Sequence, residues 1–395
     1  MAYNGGINLT WHERGEHRMK IVIAPDSFKG SASARDLCDA IARGIRSVMP
    51  KAELVELPLA DGGEGIMDNL VHATGGSRIE VVVSDPLGRT ITAHYGVLGD
   101  GSTAVIEMAQ ASGLPLLQPE ERQPLLTSTR GTGELIKHAL DRGYRKFIVG
   151  LGGSATNDGG AGMLQALGLQ LLDAAGQPLA VGGGALAQLG ALDAAALDPR
   201  LAASQFTIAC DVTNTLCGLE GASAVFGPQK GATPEMVAQL DAGLRRFAEQ
   251  IQALRGIDVL SVPGGGAAGG MGAGLLGFMN ASIRPGIDVV MEASGFAEAV
   301  KDADCIITGE GKLDEQTLAG KVAAGVCQAA LPLDIPVIIL CGTRSLPGEA
   351  LRQLGKVSAF SIVPGPCSLE EAMAQTLSFA EACAAQIFAL LEYSF

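Results

Sequence analysis

Residues Gly150–Met163 read G-L-G-G-S-A-T-N-D-G-G-A-G-M, and the apolar run Lys146-Phe147-Ile148-Val149 leads into them. The run predicts a buried strand that ends in a glycine loop. With Gly150, Gly152, Gly153, Gly159, Gly160 and Gly162 in the loop, backbone amides can come close to a bound group. Ser154, Thr156 and Asn157 add short polar side chains, and Asp158 adds one negative charge. Met163, Leu164, Ala166 and Leu167 predict a helix after the loop. Strand, glycine loop and helix N-terminus together suit an anion. No Lys-Ser or Lys-Thr follows, so this is not a Walker A loop. Gly150, Gly152 and Ala155 also fit G-x-G-x-x-A, with Asp173 spaced to hold a ribose, which keeps a dinucleotide reading open.

On the amino-terminal side, Met19–Pro25 predicts the first strand. Ser33 opens a helix with Leu37, Ile41, Ile45 and Val48 on one side, and Leu54–Leu59 predicts a second strand. Residues 78–83 and 90–97 flank Asp85-Pro86-Leu87-Gly88 as a hairpin. Strands are further expected at 104–108, 146–150 and 206–211, with a helix after Thr233-Pro234. The glycine-rich segment 264–277 predicts a tight loop entering a buried helix. From residue 301 strand and helix alternate again: 305–308, 317–330, 337–341, 359–363 and a long helix over 369–392. The two ends of the chain share this alternation and the middle does not. The expected fold is therefore two-domain α/β. A doubly wound, Rossmann-like domain would be formed by residues 19–80 and 295–395, with a second α/β domain, 81–294, inserted. Residues 1–18 have no apolar core and predict a disordered extension, not a signal peptide.

Across 395 residues, 47% are hydrophobic and 18% charged, as in a folded globular chain. A formal charge of −14 argues against a nucleic-acid surface or an anionic membrane. The eight cysteines form no C-x-x-C and mostly sit in apolar runs, which predicts free thiols in a reducing cytoplasm. No histidine pair has zinc spacing. Nor does any apolar run reach the length of a membrane span.

Carboxylates recur just after the apolar runs: Asp26, Asp61 with Glu64, Glu107, Asp158, Asp211, and Glu310 with Asp314. Open α/β sheets bind ligands beyond the carboxyl ends of their strands. Carboxylates gathered there are costly unless they hold cations, bind hydroxyls or act as bases. Lys29, Lys230, Lys312 and Lys321 share the same glycine-rich segments. This combination fits phosphoryl transfer with Mg²⁺. The plainer alternative is that an Asp before a helix is only a cap, and Asp26 and Asp158 are candidates for that role.

The assembled motifs resemble those of the class I glycerate kinases, bacterial enzymes that phosphorylate D-glycerate with ATP. They are A-P-D-S-F-K-G from Ala24, P-L-A-D-G-G-E-G from Pro58, G-L-G-G-S-A-T-N-D-G-G-A-G from Gly150 and A-C-D-V-T-N from Ala209. V-F-G-P-Q-K-G-A from Val225, A-A-G-G-M-G-A-G from Ala267, R-P-G-I-D from Arg284 and I-T-G-E-G-K-L-D from Ile307 complete the set. Two positions depart from the family pattern: Asn214-Thr215 stands for the usual Asn-Pro, and Lys312-Leu313 for the common Arg-Ile.

The resemblance implies a flavodoxin-like domain from both chain ends, an inserted α/β domain and an active site between them. It also implies 2-phosphoglycerate as product, in glyoxylate or sugar-acid catabolism. On this reading the ATP phosphates are expected at the 150–163 and 263–274 loops, through Gly152, Gly153, Ser154, Asn157, Asp158, Gly265 and Gly266. Mg²⁺ is expected near Asp211 or Glu310. Asp61 or Asp314 would orient the attacking hydroxyl, and Lys29 or Lys230 would hold the γ-phosphate or the glycerate carboxylate. Ser27 and Lys321 are further substrate-binding candidates, and a homodimer is compatible with the sequence. A nicotinamide-dependent oxidoreductase would leave the 209–231 and 307–321 motifs without work. A non-catalytic sensor would not need so many carboxylates.

Overall fold

The most apolar runs become parallel strands covered on both faces, as the full burial of Ile21, Val22, Ile23, Ile306 and Ile307 shows. The computed structural model describes residues 18–60, 62–63, 65–315, 317–319 and 321–393. The predicted extension, apart from Arg18, lies outside the described residues, as do Asp61 and Glu64. In chain order the strands are β1 (Lys20–Ile23), β2 (Glu53–Glu56), β3 (Ser77–Ser84), β4 (Thr90–Val97), β5 (Thr103–Glu107) and β6 (Lys146–Gly150). They continue as β7 (Gln170–Leu172), β8 (Ala191–Asp193), β9 (Gln205–Ala209), β10 (Ala281–Arg284), β11 (Cys305–Leu313), β12 (Val337–Arg344) and β13 (Val357–Ser361). The chain divides into two units: one ends at Pro58 and resumes at Phe296, and the other runs Leu59–Gly295.

In the terminal unit the sheet order is β2-β1-β11-β12-β13, parallel throughout. Counted within the unit this is 2-1-3-4-5, the flavodoxin order, which reverses direction between β1 and β11. Ile21, Val22, Ile23, Ile306, Ile307 and Ile339 are fully buried in it. β11 runs farther than the sequence suggests. Glu310 and Lys312, read as loop, pair in register with Cys341 and Thr343 of β12. Ser33 caps the helix Ala34–Val48 by accepting from the Asp36 amide. That helix meets the helix Thr376–Tyr393 at Gly44, where a Cβ would stand 2.2 Å from the Glu381 carbonyl oxygen. The carboxy-terminal helix expected as one piece is two, Leu369–Ala374 and Thr376–Tyr393.

The other unit holds a sheet ordered β10-β9-β6-β5-β4-β3. β10, β9, β6 and β5 run parallel, and the predicted hairpin of β3 and β4 joins antiparallel. Asp85 closes the hairpin turn by accepting from the Leu87 and Arg89 amides, both at 2.8 Å. Phe147 stacks on Phe206 at 4.5 Å within the core on one sheet face. The helix Ile66–Thr74 packs on β4, where Gly96 makes room: a Cβ there would stand 2.6 Å from Val71 Cγ2. Residues 59–80 therefore group with this unit, although the sequence predicts them with the terminal one. No helix among the described residues is long and apolar enough to cross a membrane.

Candidate active site

β6 ends at Gly150, and the loop after it folds back on the chain. Ala155 donates to the Ser112 carbonyl at 2.9 Å, and Leu114 donates to the Gly153 carbonyl at 2.8 Å. Gly152 and the exposed Gly153 form the outer tip, while residues 154–160 are buried. Asp158 is fully buried. Its Oδ2 accepts from the Thr129 amide (2.8 Å), the Thr129 hydroxyl (2.9 Å) and the Gly162 amide (3.2 Å), and its Oδ1 from the Gly160 amide (3.1 Å). Burial raises its carboxyl pKa, against the pull of those hydrogen bonds. The following helix spans only Ala161–Ala166. Amides at its start are thus spent on Asp158, and the anion site expected at that helix terminus is taken by the chain's own carboxylate.

Two buried polar atoms of this loop, Thr156 Oγ1 and Asn157 Nδ2, have no hydrogen-bond partner within the protein. Asn157 Oδ1 accepts from the Ser223 hydroxyl at 3.1 Å. Lys230 is also buried, and its Nζ donates to Ser154 Oγ at 2.8 Å and to the Thr156 carbonyl at 2.6 Å. Burial pushes the Lys230 amine down to about 7, opposed by the charge of Asp158.

The second glycine stretch is pressed against the first. Gly159 donates to the Gly269 carbonyl at 3.0 Å. A Cβ on Gly269 would stand 2.0 Å from the Thr156 carbonyl oxygen, and one on Gly274 would stand 2.4 Å from that of Gly159. Many of these glycines therefore serve backbone-to-backbone packing. Gly265 and Gly266 spend their amides on the carbonyls of Val262 and Asn214. Asp211, which is exposed, accepts from the Gly286 amide at 2.7 Å and so caps the helix Gly286–Ala293. Asp173 closes its own turn, accepting from the Ala175 and Gln177 amides, both at 2.8 Å. A carboxylate engaged in this way does not wait for a ribose, and the dinucleotide reading loses its acid.

In the terminal unit, the carboxyl ends of β1 and β11 bring Asp26, Ser27, Lys29, Glu310, Asp314 and Lys321 onto one sheet edge. Asp26 donates its amide to the Gly309 carbonyl at 2.9 Å and accepts from the Ser27 amide at 2.7 Å. Lys29 is exposed on the turn that Phe28 and Ala32 close. Glu310 is 5% exposed, and its Oε1 has no hydrogen-bond partner. Burial raises its pKa, opposed by a hydrogen bond with Thr317 and by the charge of Lys321, whose Nζ lies 3.9 Å from Oε2. Lys312 pairs with Asp314 at 3.0 Å. Thr129 and Thr317 are not singled out by the sequence: Thr129 sits in a polar stretch without a pattern of its own, and Thr317 reads only as the start of a helix.

Mg²⁺ was expected at Asp211 or Glu310. Among the described residues no group of three His, Cys, Asp or Glu could hold a metal ion. Mg²⁺ asks for less, since one or two carboxylates with phosphate oxygens and waters suffice. The unpartnered Glu310 oxygen fits that demand.

The chain matches the model of the glycerate kinase family over residues 21–392. It is 51% identical to the glycerate kinase of Bacillus subtilis (strain 168), covering 95% of this chain and 98% of the relative. To the glycerate 2-kinase of Escherichia coli (strain K12) it is 48% identical, covering 90% and 93%. A solved crystal structure from Salmonella typhimurium LT2, proposed to be glycerate kinase 2, superimposes with a TM-score of 0.87 at 48% identity, covering 96% of this chain and 99% of that one. On these matches, and with carboxylates, lysines and glycine loops at the strand ends, the chain belongs to the glycerate kinase family.

Proposed function

We propose that the chain transfers the γ-phosphoryl group of ATP to the 2-hydroxyl of D-glycerate, giving 2-phosphoglycerate, ADP and a proton. Family membership over nearly the whole chain is the observation that carries this reading. The 2-position follows the glycerate 2-kinase relative.

In the reaction the C2 oxygen forms a bond to phosphorus as the bond to the bridging ADP oxygen breaks. The transition state needs position and charge compensation more than covalent chemistry. Gly152 and Gly153 offer backbone amides at the loop tip, and Ser154 and Asn157 offer side-chain donors to the nucleotide. Asp158 shapes the loop from beneath, and Gly265 and Gly266 support it. Asp314 lies close enough to Glu310 to act on its charge, and it orients the substrate hydroxyl or takes its proton, a task shared with or held by Asp61. Lys29, Ser27 and Lys321 bind the glycerate carboxylate or the transferring phosphoryl group. Glu310, together with or instead of Asp211, would hold Mg²⁺, which when bound neutralises charge on the phosphates. A homodimer and a cytoplasmic setting belong to the same reading.

A coupled assay of ADP release with Mg²⁺-ATP and D-glycerate, followed by phosphorus NMR of the product, tests the proposal. Glycerate-dependent release with phosphate on C2 is the expected result. Phosphate on C3 would overturn the regiochemistry. Nucleotide binding without turnover would leave a sensor.

A further inference from the structure

A lysine amine withdrawn from water is costly unless its hydrogens are all given to acceptors. Lys230 is 1% exposed and closes the turn Pro228–Lys230. That turn is locked where it ends. Gly231 has φ +91, and a Cβ there would stand 2.2 Å from the Arg122 carbonyl oxygen. The amine points at the glycine loop's own atoms, Ser154 Oγ and the Thr156 carbonyl, at 2.8 and 2.6 Å. To touch glycerate it would have to surrender both bonds.

We propose that Lys230 is a positioning residue. It fixes the shape and hydrogen-bond polarity of the 152–157 loop, so that the loop presents donors to the nucleotide phosphates. This rests on reading that loop as the nucleotide site, and it replaces the substrate contact expected from the sequence.

The polarity argument is direct. A lysine ammonium has only donors, so Ser154 must accept from it, and the serine's own hydrogen is left to donate elsewhere. Even an uncharged amine keeps two hydrogens, enough for both bonds. Asn157 is set the same way: its Oδ1 accepts from Ser223, and Nδ2, a donor, remains without a protein partner. A loop that leaves an asparagine amide without a protein acceptor suits an anion.

The test compares Lys230→Met, Ser154→Ala and the double variant, by steady-state kinetics and by calorimetric titration with ATP. Lys230→Met is expected to raise KM and Kd for ATP by about tenfold or more, with KM for glycerate changed by less than about twofold. Adding Ser154→Ala to Lys230→Met is expected to cost much less than Ser154→Ala alone, because the two act as one unit. A rise in KM for glycerate with ATP affinity untouched would overturn the proposal and restore direct substrate contact. Additive losses would overturn it as well. If Ser154→Ala and Asn157→Ala both leave ATP affinity unchanged, the loop is not the nucleotide site, a failure distinct from that of Lys230. Should Lys230→Met not fold, Lys230→Leu, which likewise has no terminal hydrogen to donate, is judged by the same split. An unchanged ATP affinity in Lys230→Met, or in the Leu variant if that is the one measured, would sink the proposal.

Discussion

Thr129 donates twice to one oxygen of Asp158, through its amide at 2.8 Å and its hydroxyl at 2.9 Å. The same hydroxyl oxygen accepts from the Met163 amide at 2.9 Å. One threonine thereby ties the end of the glycine loop to the first turn of the helix after it.

Thr129→Val keeps the volume and removes both hydroxyl bonds, leaving the Met163 amide without its partner. The expected loss is about 1–3 kcal/mol of unfolding free energy. Asp158→Ala should cost more, since four donors then lose their acceptor in a buried place. Urea unfolding of both variants checks this. An unchanged midpoint for Asp158→Ala would mean that the carboxylate does not hold the loop.

Lys230 makes stability depend on pH. Its amine, ordinarily near 10.5, is held down to about 7 by burial. Between those values the unfolded chain binds the proton and the folded chain does not. Stability from this group therefore rises with pH across the window, and is lost as pH falls toward 7, by up to about 1.4 kcal/mol per pH unit. Asp158, the charged neighbour acting on Lys230, is shifted upward, so its contribution is complete below its ordinary 3.8 and fades as pH rises through the raised value. Unfolding free energies of wild type and Lys230→Met at pH 7.5 and 9.5 isolate the lysine. The wild-type advantage should grow with pH. A constant difference would show that the amine titrates normally.

The doubly wound order was legible because each terminal strand is a short apolar run followed by a polar loop, and Asp26 and Glu310 could be placed by that rule alone. What the glycines do was not. A missing Cβ makes room equally for a ligand or for another stretch of backbone, and at Gly269 and Gly274 the occupant is the first loop. β11 was cut short because G-E-G-K reads as punctuation, yet β12 supplies pairing partners that carry the strand on to Leu313. The burial of Lys230 was hidden too, since P-Q-K-G in isolation looks solvated.

Ala268 is held at φ 53 between Ala267 and two glycines that are also left-handed. An alanine pays roughly 1–2 kcal/mol for that conformation. Ala268→Gly should therefore stabilise the protein by about 0.5–1 kcal/mol, after the added freedom of the unfolded glycine is subtracted. Gly269→Ala should do the reverse and more, because its Cβ would enter the Thr156 carbonyl as well as strain the backbone. Thermal unfolding of the pair gives opposite signs if the packing of the two stretches is as described. Matching signs would contradict it.

Glu310 offers the sharpest separation of roles at the strand ends. Oε2 lies 3.9 Å from Lys321 Nζ, while Oε1, buried, has no hydrogen-bond partner. An acceptor left in that state suits a cation or a donor brought by substrate. Glu310→Gln preserves the shape but replaces an anionic oxygen with a neutral amide. It should lower kcat by about 100-fold or more and raise the Mg²⁺ concentration needed for half-maximal rate. Lys321→Met should instead act mainly on KM for glycerate, since it removes a cation and leaves both Glu310 oxygens in place. Rates measured over a Mg²⁺ series at saturating ATP and glycerate distinguish the two variants. If Glu310→Gln lost kcat with an unchanged Mg²⁺ dependence, the carboxylate would act on the substrate itself, and Asp211 would be left to hold the metal.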